Sequence, residues 1–101
     1  MAQLEPPEAG EAVAVVEKES TVTRPRIWIG RCLRVDGNDV VITPFKEISR
    51  DVFIFQVGGK RQRAHLRDVV SPIDLTHNAT DNTYRLRTTR TEIHLCLSPV
   101  L

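Results

Sequence analysis

Aromatic residues are scarce in this chain: one Trp, one Tyr and three Phe among 101 residues. Five rings must serve both a core and any aromatic binding site. Cysteine is nearly absent too, with only Cys32 and Cys96, which excludes a disulfide-rich knot. Uninterrupted apolar runs reach no more than the five residues of Ala12–Val16, so no apolar segment is long enough to cross a bilayer as a helix. Neither sign of charge dominates, with 14 Lys and Arg against 13 Asp and Glu, and the 27% charged content is ordinary for a globular domain. No apolar stripe of helical period and no internal repeat is visible, which removes coiled coils and solenoids. Met1 to Pro7 carries neither the basic start nor the apolar stretch of a secretory signal. One small intracellular domain is the expectation.

What is present is a series of short β-type segments. Residues 1–9, with two prolines and two glutamates, have little to bury and are expected to form a flexible leader. Ala12–Val16 is rich in β-branched residues and predicts a strand. Arg26–Val35 alternates most clearly. Ile27, Ile29, Leu33 and Val35 share one face, where Arg31 is the exception, and Trp28, Gly30, Cys32 and Arg34 share the other. Gly30 predicts a close approach by a neighbouring chain segment. Asp36-Gly37-Asn38 predicts a tight turn into Val40–Thr43, which Pro44 is expected to end. Val52–Val57, Gly58-Gly59 and Lys60–Leu66 predict a second hairpin, followed by a short 3-10 turn over Arg67–Val70. Thr83–Thr88 and Glu92–Leu97 predict a C-terminal hairpin. The fold class is therefore all-β: a small barrel of about five strands over 10–75, with a hairpin in 76–101 packed on it or extending it.

The stretch from Glu11 to Val41 carries a resemblance. Its elements are the run Ala12–Val16, a polar loop, Ile27-Trp28-Ile29-Gly30-Arg31-Cys32-Leu33-Arg34-Val35, the Asp36-Gly37 turn and Val40-Val41. Together with Ile42-Thr43-Pro44-Phe45 they resemble the opening strands of Tudor-like, SH3-like barrels found in chromatin-associated and mobile-element proteins. The resemblance covers residues 10–75 and implies a non-catalytic reader of peptides or nucleic acid, with a nuclear location. It also implies an aromatic cage for methylated Lys or Arg, whose matching positions are Trp28, Phe45, Phe53 and Phe55. Such a cage works by cation–π attraction and desolvation of the cation.

Charge supplies the alternatives. Residues 1–23 hold five glutamates against one lysine, a net of −4, while 24–101 hold thirteen Lys and Arg against eight Asp and Glu, a net of +5. Lys60, Arg61, Arg63 and Arg67 form one basic group and Arg85, Arg87 and Arg90 a second. If the two merged on the folded surface they would make a stripe able to track phosphates. Arg outnumbers Lys eleven to three, which suits bidentate contacts with phosphate or carboxylate. A structural or protein-docking role in a viral or mobile-element protein is the third reading. His94 and Cys96 would share a strand face, and His65, His77 and Cys32 could complete a site, but local chelate spacing is missing and no metal or cofactor is expected. No Ser, His or Asp stands in a nucleophile context and no glycine-rich loop leads into a helix, so no enzyme activity is expected. Both cysteines are expected to be buried, reduced thiols. Partners are expected to be protein, peptide or nucleic acid, with no membrane.

Overall fold

The computed structural model describes residues 6–55 and 58–97, with the side chain of Leu97 excepted. Gln56 and Val57 of an expected strand, part of the expected leader and Pro99-Val100-Leu101 lie outside the described residues. The chain is mostly β. Its elements are β1 (Ala12–Val16), β2 (Ile27–Asp36), β3 (Asp39–Ser49), β4 (Val52–Phe55), β5 (Gln62–His65), a 3-10 turn (Leu66–Asp68), β6 (Val69–Val70), β7 (Leu75–Asn78), β8 (Thr83–Leu86) and α1 (Arg90–Leu97). All pairings are antiparallel, in the order β6-β1-β2-β3-β4-β8-β7, with β5 on β3.

The β2–β3 hairpin forms at the predicted turn. Asp36 pairs with Asp39, and Gly37 takes the left-handed backbone at φ +63°. β3 then runs on through Pro44 to Ser49. Pro44 falls at the seam where β3 changes partner, from β5 beside Asp39–Ile42 to β4 beside Phe45–Ser49. A proline is tolerated where a ladder is interrupted.

Gly58-Gly59 is not a hairpin turn. β4 and β5 both run antiparallel to β3, so they point the same way and cannot pair with each other. They form one interrupted strand along the same edge of β3. Ala64 and the following Leu66 explain this placement, because both pack against the cluster that contains Val40 and Ile42. The predicted hairpin would have drawn them away from it.

The sheet buries both faces. Val13, Val15, Cys32, Val40, Ile42 and Val69 form one cluster, with Trp28 packed against it. Ala14, Ile27, Ile29, Phe45, Phe53, Val70, Leu86 and Ile93 form the other. This is why Ala12–Val16 is apolar at every position rather than at every second one. Gly30 belongs to the first face. A Cβ there would lie 2.3 Å from Ile42 Cγ2 and 2.7 Å from the Thr43 carbonyl oxygen, so the expected close approach is present.

The second cluster is covered by the C-terminal segment, whose form differs from the expected one. The hairpin is β7–β8, and Glu92–Leu97 is helical. Thr89 caps the helix: its Oγ1 accepts the Glu92 amide at 3.1 Å, within a Thr-x-x-Glu sequence. Ile93 is fully buried, whereas Leu95 is half exposed, so α1 has no broad apolar stripe to announce it.

Candidate functional site

The aromatic residues divide between the two faces. Phe45 and Phe55 sit edge to face with centroids 5.6 Å apart, and Tyr84 stacks on Phe45 at 5.2 Å. β8 delivers Tyr84 by pairing it with Phe53. Trp28 does not join them, because it lies on the opposite face of β2. Phe53 is buried in the second cluster. Sequence reading missed Tyr84 as a partner of Phe45, although its alternation with Arg85 and Arg87 was visible.

The Phe45–Phe55–Tyr84 box already holds a cation. The Arg31 guanidinium carbon lies 5.1 Å from the Phe55 centroid, 5.8 Å from Phe45 and 6.0 Å from Tyr84. Its Nη2 donates to Tyr84 Oη at 3.3 Å, while the buried Nε has no partner among the described residues. Arg31 is the exception noted on the Ile27–Ile29 face, and the box explains it. Cation–π contacts contribute about 0.5–2 kcal/mol. An unsatisfied buried donor costs about 1–3 kcal/mol. The two roughly offset, so the arrangement fixes side-chain positions more than it adds stability.

Trp28 instead sits half-buried in a cleft of about 360 Å³, between the β1–β2 loop and the β5–3-10 segment. Glu17 and Glu19 line one side and Asp68 the other. Lys18 and Arg63 also reach the cleft, but Arg63 is held by Asp36 at 3.2 Å and Asp39 at 3.5 Å. Glu17, Glu19 and Asp68 make no ion pair among the described residues, and Lys18 lines the same cleft. His65 turns Nδ1 away to accept the Arg67 amide at 3.1 Å. The loop is braced: Glu17 N–H donates to the Arg26 carbonyl at 2.9 Å, and Ser20 Oγ accepts the Arg26 amide at 2.9 Å. The Ser20 hydroxyl also hydrogen-bonds with His94 Nδ1 at 2.8 Å, which pins the loop to α1.

The two arginine groups do not merge. β8 pairs with Val52 and Phe53 and runs toward Asp51, away from β5. Arg90 turns inward, contacting Glu47 at 2.6 Å, Asp51 at 3.0 Å and the Ile27 carbonyl at 3.2 Å. Lys60, Arg61 and Arg67 are exposed without ion pairs among the described residues, as are Arg85 and Arg87. The latter two edge a groove of about 660 Å³ on the outer face of β4, β8 and β7.

The cysteines are unalike. Cys32 is buried and its thiol pKa is pushed up, first by burial and then by the Glu11 carboxylate. Cys96 is exposed on α1 rather than buried on a strand. Two residues apart on a helix, His94 and Cys96 do not share a face. Among the described residues no three His, Cys, Asp or Glu side chains gather as a metal site. No described helix is long and apolar enough to cross a membrane. Comparison of the chain with protein-family models, with curated proteins and with solved structures finds no match.

Proposed function

We propose that the chain is a non-catalytic binding module built on an SH3-like barrel, and that it reads a peptide segment bearing Lys or Arg. Support for the barrel reading comes from connectivity. Three antiparallel strands, the short β1 and the long β2 and β3, are followed by the β4–β5 strand, a 3-10 turn and a short β6 that returns to β1. In this reading the Val13–Ile42 cluster is the barrel interior, and β7, β8 and α1 form an added layer.

The observation that carries the ligand class is the Trp28 cleft. A half-buried indole supplies a π face, and Glu17, Glu19 and Asp68 supply negative charge around it. That combination suits an ammonium or guanidinium group. The Phe45–Phe55–Tyr84 box is unsuited to the same task while Arg31 fills it. Of the four rings the resemblance implies, this reading keeps Trp28 alone and adds the carboxylates of Glu17, Glu19 and Asp68.

Titration with Lys- and Arg-containing peptides, unmodified and methylated, should change the emission of Trp28, the single tryptophan. Replacement of Glu17 and Glu19 by Gln should weaken binding. An emission spectrum unmoved by every basic peptide would refute the reading. The competing phosphate-backbone reading rests on the unpaired Lys60, Arg61 and Arg67. It requires affinity for oligonucleotides that falls steeply with salt and disappears on reversal of those charges.

A further inference from the structure

β7 is the last strand of the sheet, and its outer edge is unoccupied by any described residue. In an antiparallel ladder, main-chain groups point alternately toward the partner and away from it. The Arg87 amide donates to the Asp74 carbonyl at 2.8 Å. With the register Thr76–Arg85 and Asn78–Thr83, those pairs are hydrogen-bonded as well. The N–H and C=O groups of Leu75 and His77 therefore face outward, and no described residue takes them up. Shortness is the one protection this edge has: Leu75–Asn78 contains no lysine, proline or bulge.

The side chains flanking this edge have two characters. On the inner face Leu75 packs against the second cluster, and His77 stacks on Tyr84 at 4.7 Å. On the outer face Thr76 lies in register with Arg85, and Arg87 follows two residues on. Both arginines are exposed and make no ion pair among the described residues, beside the groove that exposed Ile48 and half-buried Val52 help to line. Asp81, the acidic residue lining this groove, is engaged locally, because its carboxylate accepts the Thr83 hydroxyl at 2.7 Å and the Thr83 amide at 3.2 Å.

We propose that β7 accepts an added strand from a partner protein, an extended segment with acidic residues at every second position and apolar residues between them. Main-chain bonding would run to Leu75 and His77. Residues opposite Thr76 share its outer face, with the Arg85 Cα two strand spacings away, about 9–10 Å. A glutamate and an arginine side chain together span that gap. The intervening apolar residues lie beside Leu75 and His77 and extend the inner apolar face. Recognition by strand addition draws affinity from the main chain and specificity from alternate side chains. This surface is separate from the Trp28 cleft and takes a ligand of opposite charge.

The test uses the full chain and a short peptide alternating glutamate and valine. Amide resonances of Leu75, Thr76 and His77 should shift on titration, and the double variant Arg85→Glu, Arg87→Glu should weaken binding at least about tenfold. A peptide N-methylated on the bonding edge should not bind. Equal binding of the N-methylated peptide, unchanged binding by the double variant, or tighter binding of an oligothymidylate than of the peptide would each overturn the proposal. Both arginines are exposed, so the variant's thermal unfolding should match that of the parent and separate lost binding from lost fold.

Discussion

Three positions mark where individual residues decide the structure. At Gly30 the obstacle to any side chain includes the carbonyl oxygen of Thr43, which cannot rotate aside. Gly30→Ala should destabilise the protein by about 1–3 kcal/mol, readable as a lower urea midpoint with an unchanged slope. Arg31 is the opposite case. Arg31→Met keeps the aliphatic stem among Phe45, Phe55 and Tyr84 and removes a buried donor that no described residue satisfies. Stability should change by less than about 1 kcal/mol, since the cation–π gain and the donor's desolvation cost are of similar size. A loss of several kcal/mol in thermal unfolding would mean the guanidinium is a stabilising ion after all. Cys32 gives a pH dependence. Its folded pKa is raised, so the folded state holds the thiol proton more tightly than the unfolded chain. That contribution is complete below the unfolded thiol pKa, about 8.5, and is lost as pH rises beyond it. Unfolding midpoints followed from neutral to alkaline pH should fall more steeply for the parent than for Cys32→Val. In the native protein a thiol reagent should label exposed Cys96 quickly and Cys32 only on unfolding.

At the scale of elements, the β2–β3 hairpin was legible because its turn chemistry and its alternation agree. β4 and β5 were misassigned because Gly58-Gly59 is a strong local turn signal that gave way to burial of Ala64 and Leu66 on β3. α1 was missed for a different reason. Ile93, Leu95 and Leu97 alternate as in a strand, while the competing helix signal is a single cap, Thr89 three residues before Glu92. The cap makes that signal testable: Thr89→Ala should cost about 1 kcal/mol and lower helical ellipticity, whereas Thr89→Ser should retain most of both. Arg90 joins the start of this helix to Glu47, Asp51 and the Ile27 carbonyl, so it ties α1 to the β3–β4 turn and to β2. The site residues followed the same pattern. Trp28 is a cage candidate from the sequence, but its neighbours in the cleft are not legible there, because Glu17, Glu19 and Asp68 reach it only through the β1–β2 loop and the 3-10 turn.

At the scale of the whole molecule, the decisive feature is a sheet that is apolar on both sides. The Val13–Ile42 cluster lies on one face and the Ile27–Phe53 cluster on the other, and among the described residues the segment after β6 covers the second. Sequence alternation alone could not show this, since Ile27 and Trp28 both look like inward residues. The second cluster draws Leu86 and Ile93 from beyond residue 75 and Ile27, Ile29, Phe45 and Phe53 from before it. Removing residues 71–101 would uncover Ile27, Ile29, Phe45 and Phe53 together. At about 1.5–3 kcal/mol for each large apolar side chain, the loss approaches about 6–12 kcal/mol as an upper bound. A domain of this size has only about 5–15 kcal/mol of stability in total. A chain ending at Val70 should therefore bind a hydrophobic dye, elute as aggregates and lack a cooperative thermal transition, while the full chain does none of these. Cooperative unfolding of the shortened chain as a monomer would show that the C-terminal segment is dispensable, and that the second face has another way of being covered.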